Sequence, residues 1–298
     1  MRVFVTGATG FIGSAVVKEL LATGHSVLGL SRSRDKAKAL AAAGAEVFHG
    51  SLEDTDSLKQ GAARADGVIH TAFNHDFSRF AENCELDRRA IEVIGAELEG
   101  SQRPLLVTGG IGFLAKERPG TEADVPPSPS AAYPRASEAA AMALAEKGVR
   151  VTTVRLPQVH DRDRHGLVTG LVAIARDKGV SAYVGDGSAR WSAVHRLDAA
   201  RVYRLALEHD TGDGPWHAIT EEQGVPLKDI AEVIGRRLNV PVVSMTSEKA
   251  KDHFGWFASF VATDLHASSK RTRERLGWTP GGQPGLLDDL EHASYFQS

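Results

Sequence analysis

Two stretches of this 298-residue chain carry residues whose types and spacing could do chemistry. The opening, RVFVTGATGFIGSAVVKEL, sets Gly7, Gly10 and Gly13 directly after an apolar strand pattern and at the start of an amphipathic helix pattern. Glycines at that junction let the backbone approach a pyrophosphate, and the free amides of a helix N-terminus favour the anion. Dinucleotide binding by residues 7–13 is therefore expected, with Thr9, Phe11 and Ile12 inside the contact region. The end of the second strand, VLGLSRSRDK, lacks the carboxylate that would hold an adenosine 2′-hydroxyl and offers Ser31, Arg32 and Arg34 instead. Planar guanidinium donors match a 2′-phosphate, so the expected cofactor is NADP(H).

The second stretch, SAAYPRASEAAAM, holds Tyr133, Arg135 and Ser137. A phenol can donate a proton, although a pKa near 10 suits neutral pH poorly unless something favours the phenolate. Because proline is accepted in the first turn of a helix, Pro134 predicts a helix over 134–147 with Tyr133 at its N-cap, where the dipole contributes roughly 0.3–1 kcal/mol toward an anion. Ser137 then lies one turn along the same face, able to hold a ribose hydroxyl but without charge. Arg135 would point about 200° round an ideal helix from Tyr133, yet beside a cap it can turn back and supply the missing charge. His160 and His195 are further candidate proton donors. The twelve histidines are dispersed without ligand spacing, and no metal is expected.

Short β-branched runs near 2–6, 26–30, 45–49, 67–71, 104–108 and 150–155 alternate with helical patterns near 11–23, 34–43, 54–62, 77–99 and 134–147. That alternation predicts an α/β fold, a Rossmann-type doubly wound parallel sheet with a smaller C-terminal substrate-binding region. The expected division is a dinucleotide-binding part over 1–155, taking in also 188–220, and a mainly substrate-binding part over 156–298. Further helices are expected near 167–177, 196–209, 226–238 and 268–276. The linker 117–130, ERPGTEADVPPSPS, carries four prolines and is expected to form an irregular surface flap.

A net charge of −3 gives no basic field for a phosphate backbone, so no nucleic acid partner is expected. No apolar run approaches the roughly 20 residues needed to cross a bilayer, and no membrane association is expected. The single cysteine, Cys84, and the absence of a signal-peptide pattern give a cytoplasmic expectation.

Together, TGxxGxxG, the missing acidic residue after strand two, DGVIHTAF at 66–73 and the Tyr-bearing helix resemble the short-chain dehydrogenase/reductase superfamily in its extended or atypical branch, grouped with NAD-dependent epimerase/dehydratases. VRLPQVHD at 154–161 and WSAVHRLDAARVY at 191–203 also look like motifs of that branch. The resemblance implies adenine contacts from Ser51 and Leu52, and a cofactor path lined by Ala72, Phe73, Thr108 and Pro157. It also implies a catalytic hydroxyl after strand five and a YxxxK pair. Here Thr108 is followed by Gly109 and Gly110, and Ser137 stands where the lysine belongs. The same resemblance suggests a homodimer through the helices after strands four and five, with Ile91, Ile94 and Leu98 as the apolar stripe.

Hydride transfer needs positioning and a group that neutralises the developing charge, so these residues point to an NADP(H)-dependent oxidoreductase acting on the C=O or C=N group of a small organic molecule. The alternatives are a nucleotide-sugar epimerase or dehydratase, which would want the complete Ser/Tyr/Lys set, and a dinucleotide-sensing regulator without turnover.

Overall fold

The structure, a computed structural model, describes residues 1–115, 118–131, 133–209 and 211–296. Seven parallel strands form the central sheet. They are β1 (Arg2–Thr6), β2 (Ser26–Ser31), β3 (Glu46–His49), β4 (Gly67–His70), β5 (Leu105–Gly110), β6 (Val151–Leu156) and, after a long excursion, β12 (Trp216–His217). Their spatial order is β12-β6-β5-β4-β1-β2-β3, the Rossmann-type order that leaves a crevice where the winding reverses between β1 and β4. Side chains alternate across β1, so Val3 and Val5 join the cluster of α1 (Phe11–Ala22) and α7 (Arg196–Glu208), while Phe4 joins that of α3 (Thr55–Ala63), α4 (Phe80–Leu98) and α5 (Ser137–Glu146). Both faces are covered, as a parallel sheet requires. Helix α2 (Arg34–Ala42) completes the β2–β3 crossover.

The remaining strands are β7 (Gln158–Asp161), β8 (Arg164–His165), β9 (Ser181–Val184), β10 (Arg190–Trp191), β11 (Ala193–His195), β13 (Val225–Pro226) and β14 (Val242–Met245). A small sheet in the order β11-β7-β8 brings His160 and His195 side by side in register. The later helices are α6 (Val168–Lys178), α8 (Leu227–Leu238), α9 (Ser247–Phe254), α10 (Ala258–Val261), α11 (Lys270–Leu276) and α12 (Leu286–Glu291). A third apolar cluster gathers residues of α6, α8, α9 and α12. Among the described residues no helix is long and apolar enough to cross a membrane.

Three expectations need correcting. The helix predicted from 134 begins at Ser137, with Ala136 as its N-cap at φ −120°. Pro134 precedes the helix, because mutual backbone bonds between Ser130 and Tyr133, at 3.0 and 3.1 Å, close the chain into a turn first. The linker is docked over part of its length: buried Glu122 accepts from the Thr272 amide and hydroxyl, both at 2.9 Å, and Gly120 bridges to Ala267. Glu117, the first residue of that linker, lies outside the described residues. Finally, Ile91, Ile94 and Leu98 are fully buried in the monomer's own core and cannot serve as the stripe for a second copy. The small residue Gly95 of α4 admits Leu144 of α5 instead, since a Cβ there would lie 2.2 Å from a Leu144 methyl.

Candidate active site

The glycine turn has the shape its sequence implies. Gly7 takes φ +69°, a conformation that favours glycine, and a Cβ on it would meet the Ala72 amide at 2.7 Å. A Cβ on Gly13 would lie 2.1 Å from the Gly7 carbonyl oxygen, so this side of α1 tolerates no side chain. Gly10 is the N-cap of α1; it offers no capping side chain, and no acidic residue occupies the first turn. The first amides of the helix are thereby left for an external acceptor. A cradle of this kind fits the pyrophosphate of a dinucleotide. The Phe11 ring at its edge carries the guanidinium groups of Arg196 and Arg164, 5.2 and 6.0 Å from its centre. These two arginines were not singled out from the sequence, because neither lies near the glycines in the chain. Thr9 and Ile12 are half-buried in the same turn.

At the far end of β2, Arg32 and Arg34 are exposed. Ser31 is buried and donates its hydroxyl to the Ser33 carbonyl at 3.0 Å, so it shapes the turn that carries Arg32 and is not itself presented. Ser51 and Leu52 are half-buried beside it. The neighbouring Glu53 carboxyl is held below the usual carboxylate range by its own backbone amide, by the Ser51 hydroxyl and by the charge of Arg32.

Residues 133–137 meet a buried polar chain. Ser137 Oγ donates to Asp87 Oδ2 at 2.5 Å and accepts from Arg135 Nε at 3.1 Å. Asp87 Oδ1 is 3.1 Å from His70 Nε2, and His70 Nδ1 is 2.9 Å from Thr6 Oγ1. Asp87, His70, Ser137 and Thr6 are all buried. Burial by itself would raise the Asp87 pKa, but the hydrogen bond and charge of His70, the Arg135 charge and the Ser137 hydroxyl together hold it below the usual value. Arg135 does turn inward: its guanidinium lies 4.2 Å from the centre of the Phe73 ring, and Nη2 reaches the Thr108 carbonyl at 3.4 Å. Ser137 thus holds Arg135 and Asp87, where the sequence suggested a ribose contact. Neither Asp87 nor His70 stood out in the sequence, since they are 17 residues apart with no motif joining them.

Tyr133 is half-buried, its ring centre 5.4 Å from that of Phe113 in a T-shaped contact. Burial pushes its phenol up, opposed by the Arg135 charge, so the tyrosine keeps its proton at neutral pH. Phe113 sits at φ +62°, an outlier for a bulky side chain that costs on the order of 1–3 kcal/mol and collects at functional sites. Thr108 donates its single proton to the His70 carbonyl at 2.7 Å and therefore accepts from Tyr203, also at 2.7 Å. The hydroxyl expected to be catalytic is a joint between β4, β5 and α7. Ala72 donates its amide to Thr6 Oγ1 at 3.4 Å, and Pro157 is half-buried between β6 and β7.

Buried Arg155 fixes the start of α5. Its Nε bonds both Glu138 carboxylate oxygens at 3.0 Å, Nη2 reaches the Asp124 carbonyl at 2.8 Å, and Nη1 meets His217 Nε2 at 3.2 Å. His217 Nδ1 donates to the Ser268 carbonyl at 2.7 Å, so the ring is neutral. His160 and His195 are grouped with α12: His160 Nδ1 is 2.8 Å from Asp289, while His195 caps α7 through the Leu197 amide at 3.3 Å. His165 stacks on His160 and meets the Tyr295 hydroxyl at 2.9 Å. The structure gathers these histidines with one another and not with Tyr133.

Burial drives the pKa of His217 down to about 3 and that of His165 to about 4. Between those values and about 6.5 the unfolded chain binds protons that the native state refuses, so stability falls as pH drops through this window. Thermal melts should decline steadily from about pH 6.5, by several kcal/mol in unfolding free energy before pH 4 is reached. A melting temperature that stays level from pH 8 to pH 5 would count against this account.

A model of the NAD dependent epimerase/dehydratase family matches residues 3–218. An uncharacterized protein of Schizosaccharomyces pombe is 48% identical over 299 residues, covering 99% of this chain and 100% of that one. The 4-hydroxy-2-methyl-3-oxo-4-farnesyl-3,4-dihydroquinoline-1-oxide ketoreductase of Stigmatella aurantiaca is 28% identical over 270 residues, covering 86% of this chain and 80% of its own. Among solved structures, the UDP-glucose 4-epimerase of Thermotoga maritima with UDP-glucose superposes with a TM-score of 0.74 at 20% identity, over 100% of this chain and 98% of the other, a likeness of fold. The family match runs from β1 to β12 and so through every strand of the parallel sheet; this chain belongs to the NAD-dependent epimerase/dehydratase family.

Proposed function

We propose that the protein is an NADP(H)-dependent oxidoreductase that reduces a C=O or C=N group of a small organic molecule. The observation that carries this reading is Arg135, whose guanidinium is fixed by Ser137, the Thr108 carbonyl and the Phe73 face two residues from Tyr133. It supplies positive charge beside the tyrosine although Ser137 has replaced the lysine. The glycine turn 7–13 and the start of α1 would hold the pyrophosphate, and the Ala72–Phe73 segment would flank the rest of the dinucleotide. On this reading residues 1–155 with 188–220 bind the cofactor and 156–298 mainly provide the substrate side.

When bound, the reduced dinucleotide supplies a hydride to the carbonyl or imine carbon and is oxidised in the exchange. Tyr133 holds its proton at neutral pH and would donate it to the oxygen or nitrogen, leaving a phenolate that Arg135 stabilises. A tyrosine in that state suits reduction better than oxidation. The ketoreductase of Stigmatella aurantiaca, a carbonyl-reducing relative by name, supports the same reaction class. NADPH oxidation against ketones and cyclic imines tests the reading. Interconversion of a nucleotide sugar without net cofactor oxidation would indicate an epimerase, and tight cofactor binding without any turnover would indicate a regulator.

The NADP(H) preference rests on exposed Arg32. Charge-assisted hydrogen bonds contribute about 1.5–3 kcal/mol, so Arg32→Ala should weaken NADPH binding by roughly 10- to 150-fold and leave NADH binding nearly unchanged. Fluorescence titration of both cofactors reads this directly. Equal affinities in the unmodified protein, or no loss on Arg32→Ala, would remove the argument for NADP(H).

A further inference from the structure

In a chain with 6% aromatic residues, the rings beside Tyr133 form a connected series drawn from segments far apart in sequence. Tyr133 meets Phe113 at 5.4 Å, Phe113 meets Phe260 at 5.5 Å, and Phe260 meets Trp256 at 6.1 Å. Trp256 stacks on Phe77 at 4.9 Å, Phe77 meets Phe80 at 5.6 Å, and Phe80 meets Phe73 at 6.3 Å. Phe73 closes the series on Arg135, which is two residues from its starting point. The rings come from the segment after β4 and the first residue of α4, from both sides of the linker, and from the turn between α9 and α10 together with α10 itself. Core aromatics such as Trp191, Trp216 and Trp278 are fully buried, yet every member of this series is at least partly exposed, and Trp256 is 57% exposed. A contiguous accessible apolar surface next to candidate catalytic groups marks a binding wall. The left-handed backbone of Phe113, the ring next to Tyr133 in the series, is strain of the kind that clusters at ligand clamps and active sites.

We infer that this aromatic collar is the substrate-selecting wall, and that it takes a flat, conjugated ring ketone or cyclic imine in preference to a nucleotide sugar. The inference rests on the reductase reading above and adds the class of compound. Ring faces and edges match a planar π-system through offset stacking and T-shaped contact. A nucleotide sugar brings a diphosphate and a polyhydroxylated ring, which want free cations and hydrogen-bond donors. The guanidinium in the collar lies against the Phe73 face and already gives Nε to Ser137 and Nη2 to the Thr108 carbonyl, which leaves one partly occupied cation where a diphosphate wants several donors.

The test uses the full-length protein with 9,10-phenanthrenequinone, its carbonyl-free analogue phenanthrene, and UDP-glucose. Because Trp256 is the accessible tryptophan while Trp191, Trp216 and Trp278 are fully buried, ligand protection from acrylamide quenching reports on the collar in the unmodified protein. Phenanthrenequinone and phenanthrene should protect saturably and UDP-glucose should not. Phe77→Ala and Phe260→Ala should each raise KM for the quinone about tenfold or more, with kcat and NADPH affinity little changed. Phe77→Leu, which keeps apolar bulk and the fold, should show a smaller rise in KM. Protection by UDP-glucose, or a quinone KM that the Phe77 and Phe260 variants leave unmoved, overturns the collar while the reductase reading stands. Saturable protection by phenanthrene and the quinone without NADPH oxidation keeps the collar and overturns the reductase reading.

Discussion

Tyr133→Phe is expected to lower kcat by about 10²- to 10⁴-fold, the range that a general acid contributes, while NADPH affinity stays within a factor of two or so. The phenol is the group of the 133–137 segment suited to give up a proton: Ser137 is buried under Asp87, and the Arg135 guanidinium, though partly accessible, is too weak an acid to serve. Removing only the hydroxyl preserves the ring contact with Phe113, so folding should be unaffected. Because no lysine draws the phenol down, reductive turnover should show no loss on the alkaline side until well above neutrality. Steady-state kcat across pH and cofactor titration measure both parts. A loss under about tenfold would make the tyrosine a wall of the pocket, since general acids typically contribute 10²-fold or more. The complementary Ser137→Lys variant should not restore an ordinary lysine, because an ammonium at that buried position would pair with Asp87 before it approached Tyr133.

The second large effect is on stability. Asp87→Ala should cost about 3 kcal/mol or more, because it leaves the Ser137 hydroxyl and a His70 ring nitrogen buried without their shared acceptor. Ser137→Ala should cost about 1–3 kcal/mol, and the double variant should cost less than the sum, since both act on one network. Asp87→Asn should fall between, keeping one acceptor oxygen. The linkage sign follows from the depressed pKa: Asp87 contributes stability that is present above its unfolded value near 4 and is lost as pH falls through the lower folded value. Asp87→Ala should therefore flatten the stability curve only below about pH 4, while the decline from about pH 6.5 assigned to His165 and His217 persists. Urea unfolding from pH 8 to pH 3 separates the two limbs. If Asp87→Ala unfolds within a few tenths of a kcal/mol of the unmodified chain, the relay contributes little.

What the sequence determined lies in contiguous stretches. Six strands of the sheet and the helices from α1 to α4 fall close to where the hydrophobic period put them, because a two-residue or 3.6-residue repeat is written locally. The glycine cradle was legible for the same reason: Gly7, Gly10 and Gly13 act on a backbone turn only seven residues long. The start of α5 was misread, since Pro134 is compatible with a first helical turn and only the Ser130–Tyr133 backbone bonds decide that the chain turns before it coils. Tertiary structure alone decided what surrounds Tyr133. Ser137 meets Asp87 across 50 residues, Thr108 meets Tyr203 across 95, and the aromatic collar stacks Phe77 on Trp256 from segments far apart in the chain. Each of those side chains is unremarkable in its own neighbourhood. Their chemistry arises only when the parallel sheet sets the ends of β4 and β5 beside each other and folds the later helices over them, because contacts between distant segments leave no period in the sequence to read.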